Sequence, residues 1–373
     1  MPDETTHNPI GDDKADLQPP AGALNSALDN VTDRYMQDNE LIPVDTERNS
    51  GVAAAALLSV AGAAAIGAGY LYNKWSTGRT LTMPDALPAP RHTFLSEQAG
   101  QISYYADATA SGRPLVLVHS INAAAGAHEL RPLFEAYQRR RPVFALDLPG
   151  YGFSDRSNRA YSADLFAGVL ADFLRRVVRE PADVVALSLG AEFAARAAQM
   201  APDLVAALVL ISPSGFSAKS GLVQGIAGTR LVGGITHATL ALPLLSQALF
   251  DGITTESSIK FYLRKSFVNE PPAWLVEQAY AAAHQPGAKH APLYFLSGLL
   301  FTPNAHEALY PGVPQPALVI HDEDPYVNFD LLPAFVAEHP NWQAQRITPT
   351  LGLPHWEKPA ETAAMIDSFL ATA

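Results

Sequence analysis

Residues 93–373 predict an α/β fold: a mostly parallel central sheet with helices on both faces. Two observations predict it. Short β-branched apolar runs recur along this stretch, each followed by Gly, Pro, Ser or Asp, and amphipathic stretches lie between the first four of them. A third observation is an interruption: residues 217–312 carry several helical patterns and no convincing strand, which marks an inserted helical cap.

The elements follow in chain order. Thr93–Leu95 and Ile102–Tyr105, around Ala99 and Gly100, predict a hairpin that supplies antiparallel strands at one edge. Leu115–Val118, Val143–Leu146, Val184–Leu187, Leu208–Ile211 and Ala317–Ile320 are short, continuously apolar runs, as in strands buried on both faces of a parallel sheet. Tyr161–Val178 and Ala191–Met200 carry apolar residues at helical spacing and predict crossover helices. In the cap, His237–Phe250, Ser257–Ser266, Pro272–Ala283 and Pro292–Leu300 read as helices. Their apolar faces, with Leu242, Leu249, Phe261, Tyr262, Trp274 and Phe295 among them, exceed what a surface loop needs and predict the roof of a cavity.

The chain before residue 93 has a different character. Residues 1–50 contain eleven acids and three bases and too few apolar residues for a core, so an acidic, mostly disordered tail is expected. Residues 51–72 are 22 consecutive residues without a charge. At 1.5 Å per helical residue they suffice to cross a hydrocarbon layer of ~30 Å. Tyr70, Tyr72 and Trp75 beside Lys74 resemble interfacial anchors, so a single transmembrane helix is expected. Ala61, Ala65 and Gly69 recur every four residues, a spacing that would let two such helices pair as a homodimer. Arg34 and Arg48 precede the segment, whereas Lys74, Arg79 and Arg91 follow it, a margin that favours a cytoplasmic C-terminal domain. Residues 73–92, with Pro84, Pro88 and Pro90, read as a linker.

Composition narrows the chemistry. The 373 residues are 48% hydrophobic and 17% charged, which is globular, and the net charge of -12 argues against nucleic acid as a partner. With no cysteine, thiolate nucleophiles, disulfides and iron–sulfur or zinc–thiolate sites are excluded. The histidines show no metal-ligand spacing, and no glycine-rich phosphate loop occurs. Neither a metal nor an organic cofactor is expected.

The run Val184–Leu187 leads directly into Ser188-Leu189-Gly190 and then into a helical stretch. A serine on a sharp strand-to-helix turn stands proud of the sheet, with the following N–H groups aimed at the same place. Ser188 is therefore the candidate nucleophile, although the pentapeptide Ala186-Leu187-Ser188-Leu189-Gly190 carries Ala where G-x-S-x-G has its first Gly.

At these residues the chain resembles the α/β-hydrolase superfamily, over about residues 93–373. Leu115–Val118 with His119-Ser120-Ile121-Asn122 resembles the strand and His-Gly turn that supply half of the oxyanion hole, with Ser120 in place of Gly. The resemblance implies that the N–H groups of Ile121 and Leu189 hold the developing oxyanion. Asp147 to Asp155, DLPGYGFSD, resembles the family's D-x-P-G-x-G-x-S-D loop, which sets a turn near the site. His321-Asp322-Glu323-Asp324 looks like the turn carrying the triad acid, with Asp324 at the acid position and Asp322 and Glu323 as competitors.

The base is less regular. The family's histidine stands five residues before a Glu-x-Pro, and counted back from Glu357 that position is Gly352. Either Gly352 and Pro354 reshape the loop so that His355 serves as base, or His355 is a supporting residue and the base has been lost. Chain order, Ser188 then Asp324 then His355, favours His355.

The resemblance implies a serine hydrolase, a carboxylesterase or lipase-like enzyme working through an acyl-enzyme on Ser188, while the uncharged segment adds a membrane tether and, with the apolar cap, points to a small hydrophobic ester. Carbon–carbon bond hydrolysis or a cofactor-independent peroxidase-like reaction would use the same triad. A silent hydrolase fold that only binds is the reading from another class, motivated by Ala186, Ser120 and Gly352 together.

Overall fold

The computed structural model describes residues 81–218, 230–242 and 246–373. The acidic tail, the apolar segment 51–72 and the first part of the linker lie outside these residues. Among the described residues no helix is long and apolar enough to cross a membrane.

Eight strands form one sheet: β1 (Arg91–Ser96), β2 (Gly100–Asp107), β3 (Leu115–Val118), β4 (Val143–Leu146), β5 (Ala182–Leu187), β6 (Val205–Ile211), β7 (Ala317–Glu323) and β8 (Trp342–Leu351). Their order is β1-β2-β4-β3-β5-β6-β7-β8. The β1–β2 and β2–β4 pairs are antiparallel and all others parallel. The hairpin and the five apolar runs therefore form strands, three of the runs lengthened by a few residues. The strand missing from the sequence reading is β8, whose WQAQRITPTL is largely polar. It is an edge strand that pairs only with β7 and buries only Trp342, Ile347 and Thr350, so no apolar run announces it.

Alternation along the buried strands sends side chains to two cores. On one face Val116, Val118, Val184, Ala186, Leu208 and Leu210 pack against Phe166, Leu170 and Phe173 of one helix and Phe193 and Ala197 of the next. On the other, Leu115, Leu117, Val185, Val209 and Ile320 pack against Leu133 and Phe134 of an earlier helix and Ile366 and Phe369 of the last. In order along the chain these helices are α1 (Arg131–Tyr137), α2 (Ala163–Phe173) and α3 (Gly190–Met200). They continue as α4 (Arg230–Leu240), α5 (Ser246–Ile253), α6 (Glu256–Lys265), α7 (Ala273–Ala283), α8 (His290–Leu296) and α9 (Ala305–Ala308). Last come α10 (Leu332–Glu338), α11 (Pro354–Glu357) and α12 (Pro359–Leu370). Ser162 caps α2 by accepting from Leu165 N–H at 3.1 Å.

Helices α4 to α9 fill the predicted cap. Boundaries differ: the helix expected over 292–300 ends at Leu296, and the stretch 237–250, expected as one helix, is divided between α4, ending at Leu240, and α5, beginning at Ser246. Pro243 lies between them and has no N–H for a helical bond. The cap has its own small core, Phe250, Ile259, Val276, Ala279 and Ala283, which packs on Ala123 and Ala124 at the C-terminal edge of the sheet. Leu242, Phe261 and Tyr262, expected to face inward, are instead exposed.

Two clasps hold the cap to the sheet. The buried Glu192 carboxylate on α3 accepts from Ser214 Oγ (2.5 Å), where the chain leaves for the cap, and from Thr302 N–H (2.7 Å), where it returns. Arg156 Nη1 donates to Ala282 O of α7 at 2.8 Å and so ties the DLPGYGFSD loop to the cap.

Candidate active site

The parallel register brings the C-terminal ends of β5, β6, β7 and β8 to one edge, with Leu187 opposite Ile211 and Ile211 opposite Ile320. Ser188, Asp324 and Gly352 follow three of those ends directly. This is where an open α/β sheet carries its sites.

Ser188 sits at φ 48, the left-handed region that a non-glycine residue adopts only when its surroundings hold it there. Ser188 N–H donates to Ile211 O at 2.9 Å, and its carbonyl accepts from Ala191 N–H at 3.0 Å, which starts α3. Gly190 is required by a close approach, because a Cβ there would stand 2.5 Å from His119 O. The two turns thus touch backbone to backbone. Among the described residues, neither Ile121 N–H nor Leu189 N–H has an acceptor, and Ser188 Oγ has no hydrogen-bond partner.

A network that sequence reasoning missed holds the Ile121 turn. Glu129 accepts from Ser120 N–H (2.9 Å), Ser120 Oγ (3.0 Å) and Asn122 Nδ2 (2.7 Å). Asn122 Oδ1 in turn accepts from Ala124 N–H at 2.7 Å. Ser120, standing where the family has Gly, gives this brace a hydroxyl. Burial raises the Glu129 carboxyl despite these donors. His119 braces the other side. Its Nε2 accepts from Leu148 N–H at 2.9 Å, which puts the ring proton on Nδ1, facing Ser120 O. Burial pushes His119 down to about 4, so it is neutral and holds the turn.

The DLPGYGFSD loop is architecture. Asp147 accepts from Ala127 N–H and Phe153 N–H, each at 3.0 Å. Its carboxylate occupies the place a Gly152 Cβ would take, which explains the glycine at φ +50. Ser154 Oγ donates to Asp147 O and accepts from Ser103 N–H, closing the loop on β2.

Of the three acids at the end of β7, Asp322 and Glu323 close the strand and Asp324, the first residue after it, faces the site. Its Oδ1 accepts from Tyr326 N–H (2.8 Å) and Val327 N–H (3.2 Å), and its Oδ2 stands 2.5 Å from where a Gly352 Cβ would be. Burial pushes Asp324 up to about 6, more than its two N–H donors pull it back. Asp322 is occupied elsewhere, by Arg346 Nε (2.6 Å) and Thr350 N–H (2.8 Å). Burial pushes its carboxyl up, yet these partners bring it below its ordinary value. Glu323 points to solvent, with its side chain 77% exposed.

The structure does not bring His355 to this group, which corrects its expected role as base. His355 lies in α11, fully buried, and its Nε2 donates to Glu129 O at 3.0 Å. Trp356 Nε1 shares that carbonyl at 2.8 Å. Among the described residues His355 Nδ1 has no hydrogen-bond partner, and burial pushes the ring down to about 4. The physical reason is the tether on α11: Glu357 accepts from Leu351 N–H (2.9 Å) and from Val268 N–H of the cap (2.6 Å), which fixes the direction of the turn. The residue that faces Asp324 is Gly352, at φ +96. Counting back from Glu357 had already found that position.

The arrangement therefore offers a strained serine, two N–H groups without an acceptor among the described residues, and a carboxylate pushed up to about 6 beside a position without a side chain. Among the described residues no group of His, Cys, Asp and Glu could hold a metal ion.

Comparison with known proteins follows the same lines. A model of the alpha/beta hydrolase family matches residues 115–365. An esterase of Mycobacterium tuberculosis is 42% identical over 91 residues, which cover 24% of this chain and 30% of the esterase. A 2-(acetamidomethylene)succinate hydrolase of Mesorhizobium japonicum is 32% identical over 120 residues, 32% of this chain and 42% of that enzyme. The matches thus span less than half the length of these relatives. A crystal structure of a serine hydrolase involved in carbazole degradation superposes with a TM-score of 0.59 at 18% identity, over 76% of this chain and all of the other.

Proposed function

The chain belongs to the α/β-hydrolase family, and on that premise we propose that it is a serine hydrolase acting on a hydrophobic carboxylic ester, tethered to a membrane by residues 51–72. The observation that carries this reading is the elbow: Ser188 held at φ 48 beside two N–H groups that lack acceptors.

In the proposed reaction Ser188 Oγ attacks the ester carbonyl carbon. The carbonyl π electrons move onto oxygen, where the N–H groups of Ile121 and Leu189 hold the negative charge. The serine proton passes to Asp324, relayed by water across the position that Gly352 leaves without a side chain. When the tetrahedral species collapses, the C–O bond to the alcohol breaks and the alcohol leaves with that proton. Water then attacks the acyl-enzyme in the same way and releases the carboxylic acid and free Ser188. Asp324 suits the task because a base titrating near 6 is ionised at neutral pH yet basic enough to accept a proton. His355 supports the site from behind, through Glu129.

A second reading is favoured by one observation, the engagement of His355 with Glu129 O. A hydrolase fold without an imidazole between its serine and acid would bind esters or release them slowly. Labelling with a fluorophosphonate separates the two, since the probe needs an activated serine and an oxyanion hole but no knowledge of substrate. The hydrolase reading expects labelling of the wild type that vanishes in Ser188→Ala; a folded wild type that stays unlabelled overturns it in favour of binding alone.

A further inference from the structure

The cap carries an aromatic, basic face that its own core does not use. Helix α6 keeps Ile259 buried and Leu263 half-buried against Phe250 and Val276. Its neighbours Phe261 and Tyr262 are 56% and 50% exposed. From 259 to 265 the sequence IKFYLRK holds three bases and no acid, in a chain of net charge -12. Lys260 is exposed, and Lys265 Nζ lies 4.4 Å from the centre of the Phe261 ring. Arg264 pairs with Glu270, whereas Lys260 and Lys265 have no ion pair among the described residues. Exposed aromatic rings beside long basic side chains are the combination that settles at a membrane–water boundary, the rings at headgroup level and the cations on lipid phosphates.

The path of the chain selects the occupant. The first described residues run beside the cap: Gln285 Nε2, just past α7, donates to Leu81 O at 2.8 Å. Leu81, Thr82 and Asp85 share a hollow with Glu256 at the start of α6 and with Trp274 and Glu277 of α7. The uncharged segment ends at Tyr72, nine residues before Leu81. Nine extended residues reach no more than ~30 Å, so an anchored chain enters the domain on its cap side.

We infer that the exposed face of α6, with Lys260, Phe261, Tyr262 and Lys265, docks on an anionic lipid surface. The inference rests on the reading of residues 51–72 as a membrane anchor. It also gives that anchor a purpose in substrate delivery. Tyr326 Oη donates to Tyr262 O at 3.1 Å, and Tyr326 N–H holds Asp324 Oδ1, so the docked face adjoins Asp324, the proposed base. An ester dissolved in the leaflet would reach the site without crossing bulk water.

The chain has no cysteine, so Phe261→Cys gives the full-length protein one attachment point for an environment-sensitive NBD fluorophore. Glu180→Cys, exposed before β5, gives a control. Flotation with phosphatidylcholine vesicles, with and without phosphatidylglycerol, is read in parallel and reports the anchor alone. Docking predicts a several-fold rise of the 261 signal on anionic vesicles, little rise on neutral ones, and a silent label at 180. Lys260→Gln with Lys265→Gln should lower the docked-to-undocked ratio about 25-fold, taking ~1 kcal/mol per lysine, with flotation unchanged. A chain that floats with a silent label at 261 overturns docking and leaves the anchor standing. A chain that neither floats nor signals overturns both. Equal signals on neutral and anionic vesicles overturn the anionic specificity.

Discussion

The turn after β5 and the turn after β8 lie at the same edge of the sheet, and they are specified in different ways. At the first, every constraint is backbone: Ser188 at φ 48, its N–H on Ile211 O, and Gly190 against His119 O. At the second, the constraints are side chains from distant elements. Glu357 is tied to Leu351 and Val268, Trp356 and His355 to Glu129, and Asp324 rests on Gly352. A turn set by its own backbone can be read from a pentapeptide. A turn set by remote partners can shift its imidazole by three positions and still keep the motif that flanks it.

The contrast yields predictions in order of size. Ser188→Ala removes the proposed nucleophile from the backbone-defined turn, and ester hydrolysis should fall by about 10⁴-fold or more with unchanged thermal stability. A loss under tenfold would mean that the chemistry lies elsewhere.

Next comes Asp324→Asn, which should cost about 10²-fold or more in the rate of fluorophosphonate labelling. The pH profile sharpens this. The base must be ionised, so the wild-type rate should rise with pH and level off above about 6, where Asp324 titrates. A base at His355 would level off near 4 instead, and that result would break the assignment.

Glu129→Gln should have a smaller effect, about tenfold on kcat with KM little changed, because Glu129 positions the Ile121 turn and touches no reacting atom. Glu129→Asp, which keeps the charge, should recover less than the wild-type rate, since a shortened side chain cannot meet all three donors at once. A loss of kcat in Glu129→Gln that comes with an equal drop in thermal stability would indicate a folding defect instead.

His355→Gln retains a donor for Glu129 O, and labelling should stay within the same order of magnitude. Its signature lies in stability. In the folded protein His355 titrates near 4, well below its ordinary value, so between those values the unfolded chain binds the extra proton. The wild type must then lose stability relative to the variant as the pH falls from 7 to 5, by up to about 1.4 kcal/mol per pH unit. Urea unfolding of both proteins at pH 7 and pH 5 measures the difference, and a gap that does not change with pH would mean that His355 is not buried neutral.

Particular residues show why some of this was legible in the chain and some was not. Leu115–Val118 and Val143–Leu146 form strands with the predicted ends, since a strand buried on both faces must be apolar throughout. β8 escaped because an edge strand needs no such run. Asp324 was separable from Asp322 only once Arg346, on the neighbouring strand, was seen to hold Asp322. Phe261 and Tyr262 carry the apolar character expected of a cap, yet apolar character does not say which face of a helix is covered.

By itself the sequence determined the parallel sheet, the inserted cap, the serine at a strand-to-helix turn and the glycine at the position of the usual base. These depend on periodicity, residue size and backbone freedom, which are local properties. Tertiary structure alone decided where His355 points, which acid faces the site and what braces the oxyanion turn. His355 and Glu129 are 226 positions apart, and their hydrogen bond exists only because the sheet brings the end of β3 and the end of β8 to the same edge.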